Sequence, residues 1–223
     1  MINFNEQLEF FKLIGDSLKK KIECFAIGGS AMMFYNAKVE TKDVDLVFMK
    51  GDDLKEIKER LYDIGFKEKE TIVKVFKKHK IAKNKPVMMV RGEERFDLFL
   101  KEVISFKMSN SVIERVKETH EFGNLFIKIV SPEDIILLKC ATEREKDRYD
   151  AVNLLEKFNI NWDIVIEESI YQAKVTPYLF PVFLFDFLYE LKEDLKADVP
   201  KEVIDKVRGI GEEMMINRLK KRK

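Results

Sequence analysis

Two stretches decide how this chain reads: Ala26-Ile27-Gly28-Gly29-Ser30-Ala31 and Asp43-Val44-Asp45-Leu46-Val47-Phe48. In the first, a short apolar run meets two glycines and a serine, the composition of a strand that turns into a helix capped by Ser30. In the second, strand alternation places Asp43, Asp45 and Val47 on one face and Val44, Leu46 and Phe48 on the other. A third run, Arg95-Phe96-Asp97-Leu98-Phe99-Leu100, sets one acid among apolar neighbours in the same way.

Carboxylates at i and i+2 of a strand share a face, roughly 6.5–7 Å apart at their Cα atoms. Two of them can hold Mg²⁺, which takes oxygen ligands and keeps positions open for phosphate. If the Asp97 strand lies beside the Asp43-Asp45 strand, three carboxylates converge, enough for a two-metal centre. Gly28 and Gly29 let backbone amides approach phosphate, and Ser30 adds a hydroxyl at a helix start that favours anions. Alone, Gly-Gly-Ser is an ordinary strand-to-helix turn and Asp-x-Asp an acidic solvated face. Their order along one chain, completed by Asp97, points to handling of a metal-bound triphosphate.

Outward from this centre, Leu8, Phe11, Ile14 and Leu18 predict a helix over 5–20. Further strands are expected over 23–27, 41–48, 71–76, 86–90 and 95–100, with a hairpin through Arg91-Gly92-Glu93-Glu94. A helix over 54–64 ends at Gly65. The stretches 111–120 and 124–130 read as strands returning to the sheet. Ser131-Pro132-Glu133-Asp134 is a helix start, with proline in the first turn beside two acids. Beyond it, helices are expected over 132–143, 147–158, 162–173, 180–195 and 201–221. The fold class is therefore α/β (α+β), with a mixed sheet flanked by helices over 1–130 and a helical domain over 131–223.

The 223 residues suffice for a substantial core, and 46% hydrophobic with 36% charged residues marks a globular chain. The net charge of +1 gives no global attraction to nucleic acid, so any basic surface must be local. Cys24 and Cys140 stand far apart in apolar surroundings and read as reduced and buried. The first residues carry no basic, then apolar, leader pattern. The apolar run 178–188 is interrupted by Pro181 and Asp186 and is too short to span a bilayer. These features point to the cytoplasm and away from a membrane. That same aromatic run reads as a core helix or as a homodimer face.

Gly29-Ser30, Asp43-Val44-Asp45 and Asp97 resemble the motif set of the nucleotidyltransferase superfamily that includes DNA polymerase β. The resemblance implies transfer of a nucleoside monophosphate from an NTP, dependent on Mg²⁺ or Mn²⁺, with pyrophosphate released. It assigns metal binding to Asp43 and Asp45, metal binding or general-base work to Asp97, and the triphosphate to Gly28, Gly29 and Ser30. Thr41-Lys42-Asp43-Val44-Asp45-Leu46 looks like small prokaryotic nucleotidyltransferase-like proteins, including type IV toxins of the AbiEii kind. Those proteins carry a later helical Lys-Asp motif, whose counterpart here is Arg144-Glu145-Lys146-Asp147-Arg148-Tyr149-Asp150. Lys146 would then pair with NTP phosphates while Asp147 or Asp150 orients it, although the segment also reads as a solvated charged turn. Lys42, beside the first aspartate, is a further phosphate candidate, or faces solvent. The acceptor would be RNA, a protein or a small molecule. The reading from another class is a catalytically inactive binding protein or toxin–antitoxin component on the same scaffold.

Overall fold

The computed structural model describes residues 1–69 and 85–220. The strand expected over 71–76 lies outside the described residues. The chain divides into two compact units, Met1–Ser131 and Pro132–Lys223.

The first unit opens with β1 (Ile2–Asn3) and α1 (Phe4–Ser17). Asn3 and Glu6 form a capping box: the Glu6 N–H donates to Asn3 Oδ1, and the Asn3 N–H to Glu6 Oε2. There follow β2 (Ile22–Ala26), α2 (Gly28–Phe34), β3 (Glu40–Thr41), β4 (Val44–Phe48), α3 (Gly51–Asp63) and β5 (Lys67–Glu68). After the undescribed segment come β6 (Val87–Arg91), β7 (Glu94–Leu100), β8 (Glu102–Val103) and β9 (Phe106–Lys107). The unit closes with α4 (Asn110–Glu114), β10 (Glu118–Phe122) and β11 (Leu125–Ile129).

Among the described residues, seven strands form one mixed sheet in the order β10-β11-β2-β4-β7-β6-β5. β11 is parallel to β2 and β4 to β7, while the other neighbours run antiparallel. One face carries Ile22, Cys24, Ala26, Val44, Leu46, Leu125, Ile127 and Ile129, all fully buried. α1 packs against β10, β11, α2 and α3. Phe10 of α1, Phe66 and Phe96 of β7 meet edge to face, with centroids 5.3–5.7 Å apart. Burial of each such ring stabilises by about 1.5–3 kcal/mol. Because neighbouring strand residues face opposite ways, anchoring Phe96 in this cluster turns Asp97 to the other face.

Two expectations need correction. The 111–120 stretch is not a strand throughout: its first part is α4, capped by Ser109, whose hydroxyl accepts from the Val112 N–H at 3.1 Å. The 41–48 stretch is not one strand either. It breaks between Thr41, which pairs with Ile2 in β1, and Val44, so Asp43 sits in a bend at the mouth of β4. The expected hairpin forms, with Arg91 opposite Glu94 and Gly92 at a φ of 58°.

The second unit is helical: α5 (Pro132–Cys140), α6 (Glu145–Lys157), α7 (Trp162–Val175), α8 (Phe180–Glu193) and α9 (Lys201–Lys220). The aromatic α8 is its core helix, burying Phe180, Leu184, Phe187, Leu188 and Leu191 and touching α5, α6, α7 and α9. Arg148 ties α6 to α8 through Glu190 Oε2 at 2.7 Å while lying over the Phe187 ring. Cys24 and Cys140 are free and buried, and burial pushes both thiols up. No described helix is long and apolar enough to cross a membrane.

Candidate metal and nucleotide site

β4 and β7 are parallel neighbours in a register that sets Asp45 directly beside Asp97. Side chains of such partners share a face, on strands roughly 4.8 Å apart. Asp43 reaches the same place from the bend before β4. One ligating oxygen from each of Asp43, Asp45 and Asp97 lies within 4.8 Å of the others. Asp97 is buried, and Asp43 and Asp45 are half-buried, so the cluster is open on one side.

The Gly28-Gly29-Ser30 turn lies against these acids. Gly28 has a φ of 54°, and a Cβ there would stand 3.0 Å from Asp45 Oδ2. Glycine thus supplies both the left-handed backbone and the room for the carboxylate. A Cβ on Gly29 would lie 2.4 Å from Thr41 Oγ1 and 3.5 Å from Lys38 Cδ. Ser30 is not the helix cap the sequence suggests. It is the third residue of α2, whose cap position is Ile27. Its buried hydroxyl accepts from the Asp45 N–H at 3.1 Å and donates to the Asp43 carbonyl at 3.5 Å. Ser30 therefore fixes the backbone on both sides of Val44. Its own carbonyl accepts from Nε2 of the fully buried Gln7 at 3.3 Å, which ties the turn to α1.

Arg95, two residues before Asp97 on the same strand face, folds over the acids. Its Nε donates to Asp97 Oδ1 at 2.7 Å, its Nη2 donates to Asp97 Oδ2, and its Nη1 lies 3.7 Å from Asp43 Oδ2. Burial works to lower the guanidinium pKa, but the hydrogen bond and charge of Asp97, with the charges of Asp43 and Asp45, leave it raised.

A family model described as "Nucleotidyltransferase of unknown function (DUF6036)" matches residues 5–179. The chain belongs to that family. The matched range takes in the Gly-Gly-Ser turn, all three aspartates and much of the helical unit. Membership of a nucleotidyltransferase family implies an NTP substrate and transfer of an NMP. Among curated proteins no match is found.

The other predicted positions fall differently. Lys42 is exposed in the bend between Thr41 and Asp43. Lys146 is exposed in the first turn of α6, and its expected partners are engaged elsewhere. Asp147 and Asp150 both hold Lys139 of α5, whose Nζ donates to Asp147 Oδ1 at 3.0 Å and Asp150 Oδ2 at 2.6 Å. Thr142 Oγ1 donates to Asp147 Oδ2, and Arg144 Nε donates to the same oxygen at 2.7 Å. Sequence reasoning gave no part to Arg95, Gln7 or Lys139. Arg95 alone left a signal, its i−2 spacing from Asp97.

Three carboxylates within reach of one point match the all-oxygen donor preference of Mg²⁺ or Mn²⁺. A guanidinium drawn into their midst adds that the cluster favours a cation. The residues fit the divalent metal that nucleotidyl transfer uses.

Proposed function

We propose that the protein is a metal-dependent nucleotidyltransferase whose first unit is the catalytic domain and whose second is a helical accessory domain. Convergence of Asp43, Asp45 and Asp97 beside Gly28-Gly29-Ser30 carries this reading. Asp43, Asp45 and Asp97 would hold Mg²⁺ or Mn²⁺, which when bound neutralises phosphate charge and lowers the pKa of a bound hydroxyl. Gly28 and Gly29 would give the triphosphate close access to backbone, with Lys42 as a cationic contact. Ser30 would hold the Asp43-Asp45 backbone in place as the triphosphate docks. An acceptor hydroxyl oxygen would attack the α-phosphorus as the bond to the bridging oxygen breaks. The hydroxyl proton would leave toward Asp97, and pyrophosphate would depart.

The acceptor classes are an RNA end, a protein hydroxyl or a small molecule. The Thr41–Leu46 sequence and the Lys-Asp segment on α6 support a narrower placement beside toxin nucleotidyltransferases of the AbiEii kind, working in the cytoplasm. Incubation with each α-³²P-labelled NTP, Mg²⁺ or Mn²⁺, and total RNA or candidate proteins tests the reading. Label should appear on one acceptor class with wild type and not with Asp45→Ala. Equal transfer by both proteins would refute it.

A further inference from the structure

Arg95 occupies an unusual position for a site that is to receive a cation. Its planar fork spans both oxygens of Asp97, and its third nitrogen reaches toward Asp43. These are two of the three carboxylates that would ligate the metal. A divalent ion entering among them meets a fixed positive charge and finds both Asp97 oxygens already accepting hydrogen bonds. The Arg95 side chain keeps 28% of its surface exposed, against 7% for Asp97, so it has an outward path that the aspartate lacks. A guanidinium that recognises a carboxylate through two parallel N–H bonds recognises phosphate by the same geometry.

We propose that Arg95 is an exchangeable counter-ion of this site: it neutralises Asp97 and Asp43 until a divalent cation loads, then turns outward and binds the triphosphate of the incoming NTP. The proposal rests on the metal reading above. It makes metal and nucleotide loading interdependent: the cation frees the arginine, and the arginine released from the carboxylates strengthens nucleotide binding.

Mn²⁺ binding, read from loss of the free-ion EPR signal, tests the first half on wild type, Arg95→Gln, Arg95→Lys and Asp45→Asn. Binding of a non-hydrolysable NTP analogue at saturating Mn²⁺ tests the second half. Removing a competing charge-assisted contact should tighten Mn²⁺ binding by Arg95→Gln about tenfold without nucleotide. Its analogue affinity at saturating Mn²⁺ should fall by about the same factor. Arg95→Lys, which keeps the charge without the fork, should fall between wild type and Arg95→Gln on both measures. Unchanged or weaker Mn²⁺ binding by a folded Arg95→Gln, with Asp45→Asn still losing the ion, overturns the counter-ion role and leaves the metal site standing. Tighter Mn²⁺ binding with unchanged analogue affinity overturns the transfer of Arg95 to phosphate. Mn²⁺ binding that Asp45→Asn does not reduce overturns the metal reading, and this inference with it.

Discussion

The chain builds two charge clusters from the same materials, carboxylates with a long basic side chain, and gives them opposite surroundings. In the helical unit, Lys139, Asp147 and Asp150 have side chains only 5%, 1% and 10% exposed, and Thr142 and Arg144 take up further bonds to Asp147. In the sheet unit, Asp43 and Arg95 keep 15% and 28% of their surface, and the acids converge at the open mouth of two parallel strands. The first cluster is closed and its charges pair across a helix–helix turn. The second is held partly open, with a basic group that a ligand can replace. Burying a satisfied network specifies a local structure, whereas leaving Asp43 and Asp45 half-buried beside the buried Asp97 prepares a site for something outside the chain.

The largest effect should come from the open cluster and should fall on activity alone. Asp45→Ala is expected to lower transfer by about a thousandfold or more, roughly 4 kcal/mol of transition-state stabilisation. Its melting temperature should stay close to wild type, since the change removes a carboxylate crowded by two others. Loss of fold in this variant would erase the contrast between the clusters.

The closed cluster should respond in stability. Lys139→Met removes the buried ammonium shared by Asp147 and Asp150, and breaking a buried pair this way costs about 3–5 kcal/mol, measurable by urea or thermal unfolding. Adding Asp147→Asn and Asp150→Asn to Lys139→Met should recover part of that loss, because no uncompensated charge then remains. No recovery would show that Lys139 acts by packing rather than by charge.

Acid should separate the clusters further. Burial works to raise the Asp147 pKa, but the charges of Lys139 and Arg144 and the Thr142 hydrogen bond hold it at about 2, below the ordinary 3.8. A group with a depressed folded pKa stabilises above its unfolded value and loses that contribution as pH falls through the folded one. About 2 kcal/mol should therefore disappear between pH 4 and pH 2. The acid limb of a stability–pH curve should flatten in Asp147→Asn.

The smallest change tests how the open cluster is shaped. Gly28→Ala places a Cβ at positive φ, at a cost of about 1–2 kcal/mol, and against the Asp45 carboxylate. Mn²⁺ affinity should fall along with stability. A variant that loses stability but keeps metal affinity would show that Gly28 serves the backbone and not Asp45.

How far each cluster was legible in the sequence follows from the range over which its residues interact. Alternation along β4 and β7 set Asp45 and Asp97 each opposite its apolar neighbours, because a two-residue period needs no tertiary knowledge, whereas their meeting depended on the pairing of β4 with β7. The same period puts Arg95 on the Asp97 face, a signal left unused because an arginine two residues from an acid is common on any strand. That Arg95 also approaches Asp43 depends on strand pairing and a bend, which periodicity does not encode. Lys139 was missed because its partners lie eight and eleven positions on, across a break between helices, while Lys146 sits next to Asp147 in sequence and invites the wrong pairing. The strand expected over 111–120 failed in its first part because Val112 and Ile113 suit a strand, while the cap that starts α4 lies at Ser109, just outside the window. Ser30 was read as a helix cap offering its hydroxyl to phosphate, whereas that hydroxyl turns inward to the Asp45 N–H and the Asp43 carbonyl, which only the approach of α2 to β4 brings within reach.

The most direct test is a Mn²⁺ soak of crystals with a non-hydrolysable NTP analogue, followed by an anomalous difference map. The account predicts a peak ligated by Asp43, Asp45 and Asp97, with Arg95 turned off Asp97 and onto phosphate. Nucleotide bound elsewhere, with Arg95 still on Asp97 and no peak among the three aspartates, would contradict it.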